Sequence, residues 1–282
     1  MSVVRTLLKR KLALLGLVVI AVFALMAILA PALAPYSPEL QIEGGLTLIG
    51  EPLPPNSTFW FGTDLLGRDL LSRLMYGARA TLIVGIFANG IAVAIGTSIG
   101  VTAGYLRGWT GNALMRFTDL MTAFPTLILA ILLAAMFTPK LWVVATVIAM
   151  VNWVQVARVI FTETTSLAER EFITAEKSLG AGSARILFRH LLPHLLPTIL
   201  VYGTLGIATT SLTEATLSYL GVGVQPPIPS WGNMVYENQT YFESAPWLVF
   251  IPGSCIAMLA LSFNLLGDAL RDVLDPTLRG RH

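Results

Sequence analysis

A chain of 282 residues that is 55% hydrophobic and only 12% charged, with a mean hydropathy of +0.74, carries more apolar surface than one water-soluble core can hide. Its single cysteine, Cys255, excludes an intrachain disulfide and any multi-cysteine metal or iron–sulfur site, and a net charge of +2 gives no footprint for nucleic acid. The composition is that of a membrane protein.

A bilayer core of about 30 Å requires about 20 apolar residues in a helix. Six runs meet this need: Leu12 to Ala34, Ala80 to Tyr105, Leu120 to Thr138, Leu141 to Ala157, Pro197 to Leu220 and Pro246 to Gly267. Together they hold 131 residues and one formal charge, Glu214, whereas the other 151 residues carry 33 charges. We expect an all-α protein of six transmembrane helices.

In chain order, a basic start precedes the first run, and Ala32-Leu33-Ala34 looks like a signal-peptidase site. The run exceeds the roughly 7 to 15 apolar residues of a signal peptide, however, and Pro35 would follow the cut, so a retained helix is expected. Asp64, in the segment after it, could cap a short helix leading into the second run. The second run places Gly96, Gly100 and Gly104 on one face, a spacing that lets two backbones approach closely. Pro252-Gly253 predicts a kink in the last run, and Trp142, Trp231 and Trp247 are expected in an outer aromatic belt. The predicted organisation is a tail and first helix over 1–34, an outer loop over 35–79, a five-helix core over 80–267 interrupted by a loop over 158–196, and a tail over 268–282.

Loops retained in the cytoplasm are rich in lysine and arginine. With the N-terminus inside, the inner segments hold 14 of the 18 cations and the outer segments only Arg68, Arg73, Arg79 and Lys140. Both termini are therefore expected inside.

The sequence has no GxxxxGK[ST] phosphate loop, so any ATP that drives this protein must be bound by another polypeptide. No histidine falls within a run, which leaves a membrane-embedded hydrolase without a base and argues against an enzyme. His190 and His194 have the i, i+4 spacing of metal ligands, but Pro193 lies between them and no third ligand is near, so they read as polar residues at a helix end. Glu214 is the sole ionisable group in a run, a placement costing roughly 3 kcal/mol if unpaired. It could serve packing or gating, bonded to Thr210 or Thr213, or it could touch a substrate. A proton relay would need more such groups. Asn89, Asn152, Gln155, Glu214 and Asn264 are the polar side chains best suited to line a passage or gate.

The loop EREFITAEKSLGAGSARILFRHLLP predicts two short helices, Leu167 to Leu179 and Ser183 to Leu192, with Gly180 in a left-handed turn and Ser183 as the cap of the second. Phe172, Ile173, Leu179, Ile186 and Leu187 supply an apolar face, while Glu169, Arg170, Glu171, Lys177 and Arg185 stay wet. Such an elbow, tied at both ends to membrane helices, can transmit a push.

This loop resembles the EAA signature of permease subunits of bacterial ABC importers. The matching positions are Thr174, Ala175, Glu176, Gly180, Leu192 and Pro193, with Glu171 in the same loop. Thr174 stands where glutamate is typical and Glu176 where alanine is. FGTDLLGRDLLSRLMYGAR, LSYLGVGVQPPIPSWGNM and NLLGDALRDVLDP are similar to hallmarks of the dipeptide, oligopeptide and nickel branch, in its second permease. The resemblance implies the type I importer fold in a bacterial cytoplasmic membrane. It further implies a heterodimer with a second homologous permease, two ATP-binding subunits that use ATP and magnesium, and an extracytoplasmic substrate-binding protein, with no cofactor bound by this chain. Alternating access would carry dipeptides or oligopeptides. Nickel chelates, glutathione and other peptide-like solutes are alternatives within the class, and an ion-gradient carrier or channel is the alternative outside it.

Overall fold

The computed structural model describes residues 3–274, whose regular elements are all helices, with no strand and only two isolated β-bridges among them. The helices are α1 (Val3–Leu8), α2 (Lys11–Leu33), α3 (Leu70–Leu106), α4 (Gly108–Thr122), α5 (Thr126–Ala135), α6 (Leu141–Ala168), α7 (Glu171–Ser178), α8 (Ser183–Ile186), α9 (Leu192–Tyr219), α10 (Trp231–Asn238) and α11 (Trp247–Leu274). The Asp275-Pro276 end of the closing motif, together with Arg279 and Arg281 of the expected inner tail, lies outside the described residues.

Five of the six predicted runs are single helices long and apolar enough to cross a membrane. The third is not: the expected helix over 120–138 is a pair, α4 and α5, bent by 83° at the break between them. Pro125 explains the break. It has no N–H to continue the ladder and it drives Phe124 away from helical backbone, while Pro125 itself is extended, with ψ 122°. The ten residues of α5 measure about 15 Å, half of a bilayer core.

The start of α3 differs too. It begins at Leu70, ten residues before its apolar run, because Asp69 is the cap and takes hydrogen bonds from the Ser72 amide (2.8 Å) and hydroxyl (2.6 Å). The expected separate short helix capped by Asp64 is absent from this segment. One oxygen of Asp64 instead accepts the amides of Leu66 and Arg68, at 2.9 Å each, and so folds the turn around Gly67.

Small residues bring α3 and α6 together. A Cβ on Gly96 would stand 2.6 Å from the Trp153 carbonyl oxygen, one on Gly100 2.6 Å from that of Ala157, and one on Gly104 2.9 Å from that of Phe161. The glycines and the opposing carbonyls advance together by four residues, so the two backbones touch over three turns, as the glycine spacing predicted. α11 continues through Pro252 to Leu274 as one helix.

The loop before α3 and the short α10 close one end of the bundle, the cap end. Trp231 is its keystone and not an interfacial belt residue: it is fully buried, donates its indole N–H to the Leu74 carbonyl (2.9 Å) and meets the Phe23 ring edge-on at 5.0 Å. Gly77 makes room for it, since a Cβ there would lie 2.9 Å from the indole. Trp142, by contrast, is 56% exposed, as an interfacial position requires. The opposite, elbow end carries α7, α8 and the junction of α1 with α2.

Candidate functional site

A cleft of about 1180 Å³ opens in the half of the bundle nearest the elbow, walled by α6, α9 and α11 and reached by the α4–α5 break through Thr122 and Thr126. Four of the five polar candidates, Asn89, Asn152, Gln155 and Asn264, line it. Asn89 is nearly buried and donates to the Gly203 carbonyl at 2.6 Å, and it presses so closely on α9 that a Cβ on Gly206 would collide with its oxygen. Asn152 reaches the Thr210 hydroxyl at 3.4 Å, while Gln155 and Asn264 are exposed. Set among apolar residues such as Val151, Val154, Val201 and Leu205, the polar groups of this part of the wall are neutral amides and hydroxyls, which can hydrogen-bond a polar solute without the cost of a fixed buried charge.

Toward the elbow the lining becomes charged, with Arg158, Glu163, Arg170, His194 and Arg271. Arg158 is committed to α4, donating to Asp119 at 2.7 Å and to the Thr122 hydroxyl at 2.9 Å, so it clamps α6 against the helix before the break.

Glu214 stands apart from the cleft. It is completely buried toward the cap end and bonds neither Thr210 nor Thr213, the neighbours expected of it. Ser218 donates to it at 2.8 Å from one turn along α9, and Thr81 reaches it from α3 at 3.5 Å. Thr213 instead bonds the Thr209 carbonyl. The side chain is positioned to join helices, not to face a solute.

The elbow is built on a specific helix ending. α7 stops at Ser178, Gly180 adopts φ +80°, its amide bonds the Lys177 carbonyl and the next amide, that of Ala181, bonds the Glu176 carbonyl, both at 3.0 Å. This is the Schellman arrangement, and the predicted left-handed glycine is its pivot. Ile173 and Ile186 are fully buried with Leu191 and Leu195 in one apolar cluster, and Phe172 and Leu187 pack on it. Leu179 departs from the expected apolar face. Six residues beyond Ile173 it has turned about 240° around the helix and is 83% exposed, and Phe188 is 72% exposed.

Ser183 does not cap α8: the cap residue is Gly182 and no side chain bonds the helix start. The helix expected to run on to Leu192 passes after Ile186 into a π turn, Leu187–Leu191, and then into α9. Pro193, near the start of α9, cannot donate to the Arg189 carbonyl and its ring crowds it, and the widened turn relieves that conflict. Glu171 opens α7, and Thr174, Ala175 and Gly180 are exposed on its surface. Leu192 is partly buried and Pro193 exposed. Glu176 faces His190 Nε2 at 3.5 Å, while His194 stacks on Phe172 and contacts the His190 carbonyl through Nδ1 at 2.7 Å. Among the described residues no three His, Cys, Asp or Glu side chains form a metal-holding group.

Sequence reasoning overlooked the ion pairs. At the cap end Arg73, 3% exposed in its side chain, bridges Asp64 (3.3 Å) and Glu237 (2.8 Å), and Arg68 also bonds Asp64 at 2.7 Å. At the elbow end Arg107 reaches across from α3 to Glu169 at 2.9 Å. A signal existed: Arg68 and Arg73 are two of only four cations on the side where cations are scarce, and the structure pairs both.

A membrane bundle with a polar cleft and an external helical elbow, and no nucleotide loop, has the design of a transport subunit driven from outside itself. The model for "Binding-protein-dependent transport system inner membrane component" matches residues 96–280, and the chain belongs to this family of multi-pass inner-membrane ABC permeases. The model for "N-terminal TM domain of oligopeptide transport permease C" matches residues 2–55. The chain is 41% identical over 276 residues to the dipeptide transport system permease protein DppC of Alkalihalophilus pseudofirmus, covering 96% of this chain and 88% of that protein. It is 37% identical over 269 residues to the oligopeptide transport system permease protein OppC of Bacillus subtilis, covering 95% and 87%. It is 38% identical over 264 residues to the glutathione transport system permease protein GsiD of Pectobacterium atrosepticum, covering 94% and 86%.

Proposed function

We propose that this chain is one of two homologous permease subunits of an importer for dipeptides or oligopeptides, and that it binds no cofactor and catalyses no reaction itself. Two cytoplasmic ATPase subunits supply ATP and magnesium chemistry, and an extracytoplasmic binding protein delivers the peptide. The excess of cations toward the elbow end supports an orientation with that end, and both termini, in the cytoplasm.

The observation that carries this reading is that the elbow and the cleft share their helices. α6 runs from the cleft wall into α7, and the π turn after α8 runs directly into α9, the opposite wall. A partner that moves the elbow therefore moves two walls of the cleft. Neutral amides along the cleft suit peptides of varied sequence, whose backbones offer the same donors and acceptors whatever their side chains.

Reconstitution tests the reading. The chain with its partner permease, ATPases and binding protein should take up a radiolabelled dipeptide into vesicles only when ATP and magnesium are supplied on the ATPase side. Uptake by this chain alone in ATP-free vesicles would instead establish a gradient-driven carrier. Preference for glutathione over dipeptides would move the substrate, not the mechanism.

A further inference from the structure

The junction of α1 and α2 holds a feature that the cleft and the elbow do not use. A shallow groove of about 180 Å³ lies there between Leu7, Leu8, Ala13, Leu14, Leu17 and Leu266, with no polar group on its surface. It indents a face that is apolar and exposed: Leu14 and Leu17 are each 41% exposed, and Leu12 and Leu15 beside them 64% and 55%. On a membrane helix that face is covered by lipid.

Between Leu8 and Ala13, which both line the groove, three cations follow one another in the chain, Lys9, Arg10 and Lys11. Arg10 is paired with Asp272 of α11, which pins the junction to the same helix that supplies Leu266. Lys9 and Lys11 are exposed and have no partner among the described residues. An apolar slot whose lining residues Leu8 and Ala13 flank two exposed lysines in the chain matches a molecule with an anionic head and a hydrocarbon tail.

We propose that this junction is a binding site for an anionic phospholipid, with a segment of one acyl chain lying in the groove and the phosphodiester held between Lys9 and Lys11. A zwitterionic lipid fills the groove equally well but gains no net charge attraction. The occupant would fix α1 against α2 and α11 at the elbow end. The site depends on the membrane placement of the chain and not on its transport partners.

Native mass spectrometry of the full chain in detergent, with phosphatidylglycerol and phosphatidylcholine of identical acyl chains added together, tests the site. Phosphatidylglycerol should be retained about tenfold better, and Lys9→Gln with Lys11→Gln should bring the two lipids to parity. Leu17→Trp, which fills the groove and leaves the charges, should lose both lipids while keeping the thermal midpoint of the parent. Glycerol 1-phosphate, an anionic head with no tail, should not compete. Equal retention of the two lipids by the parent chain would overturn the proposal, as would an undiminished preference in the double lysine variant, full retention in Leu17→Trp, or competition by glycerol 1-phosphate.

Discussion

The hydroxyl of Ser218 donates to Glu214 Oε1 at 2.8 Å and in the same place accepts the Val224 amide at 3.1 Å. One carboxyl thus organises the end of α9 and the loop that leads to Ser230, whose hydroxyl lies 3.4 Å from that of Ser218 and caps α10 through the Asn233 amide. Thr81 joins α3 to the same group. Replacing Glu214 by leucine leaves buried hydroxyls without their acceptor, at about 1–3 kcal/mol for each group stranded. The thermal midpoint of Glu214→Leu in detergent should fall well below that of Glu214→Gln, which keeps an acceptor oxygen. Equal midpoints would show that the carboxyl is not what joins these elements.

The contact of α3 with α6 allows a sharper comparison on one helix. Gly100→Leu must move the Ala157 carbonyl, which is backbone, and should cost about 1–3 kcal/mol as an overpacked contact. Gly90 meets nothing within 4 Å of its Cβ position, so Gly90→Ala should be neutral or gain up to about 1 kcal/mol in helix propensity. Urea or thermal denaturation of the two variants measures both signs.

Arg73 and Arg107 divide the ion pairs by burial. Arg73→Met leaves Asp64 and Glu237 with Arg68 as their remaining cation in a nearly buried setting and should cost about 1–3 kcal/mol. Arg107 and Glu169 are 47% and 65% exposed in their side chains, so Arg107→Gln should cost under about 1 kcal/mol. Double-mutant cycles with Glu237→Gln and Glu169→Gln should yield a large coupling for the first pair and almost none for the second.

Charge-free runs located the membrane helices because a bilayer penalises charge over a fixed length, and Gly180 was legible because few residues other than glycine rest at φ +80°. Other features depend on partners distant in sequence. Trp231 reads as interfacial until Gly77 and Leu74, on another helix, are seen to hold it. Asp64 and Asp69 are equally good caps locally, and the choice falls to Asp69 because Arg68 and Arg73 claim Asp64. The break at Pro125 was visible as a proline, but apolar content alone placed a continuous helix there. Four of the five polar candidates meet in the cleft, and Glu214 differs only because Thr81 and Ser218 enclose it.

We propose that the left-handed turn at Gly180 holds the elbow in the shape that an ATPase partner recognises. Gly180 and Gly182 separate this from mere bulk: neither has an atom within 4 Å of its Cβ position, but Gly180 sits at φ +80° and Gly182 at φ −67°. Valine at 180 is therefore strained by about 1–3 kcal/mol, whereas valine at 182 is tolerated. ATP-dependent peptide uptake and binding-protein-stimulated ATP hydrolysis, measured side by side in vesicles holding the whole assembly, decide the matter. Uptake should fall about tenfold or more and be uncoupled from hydrolysis in Gly180→Val, with the Gly182→Val assembly close to the parent. Normal uptake and normal stimulation in Gly180→Val would contradict it.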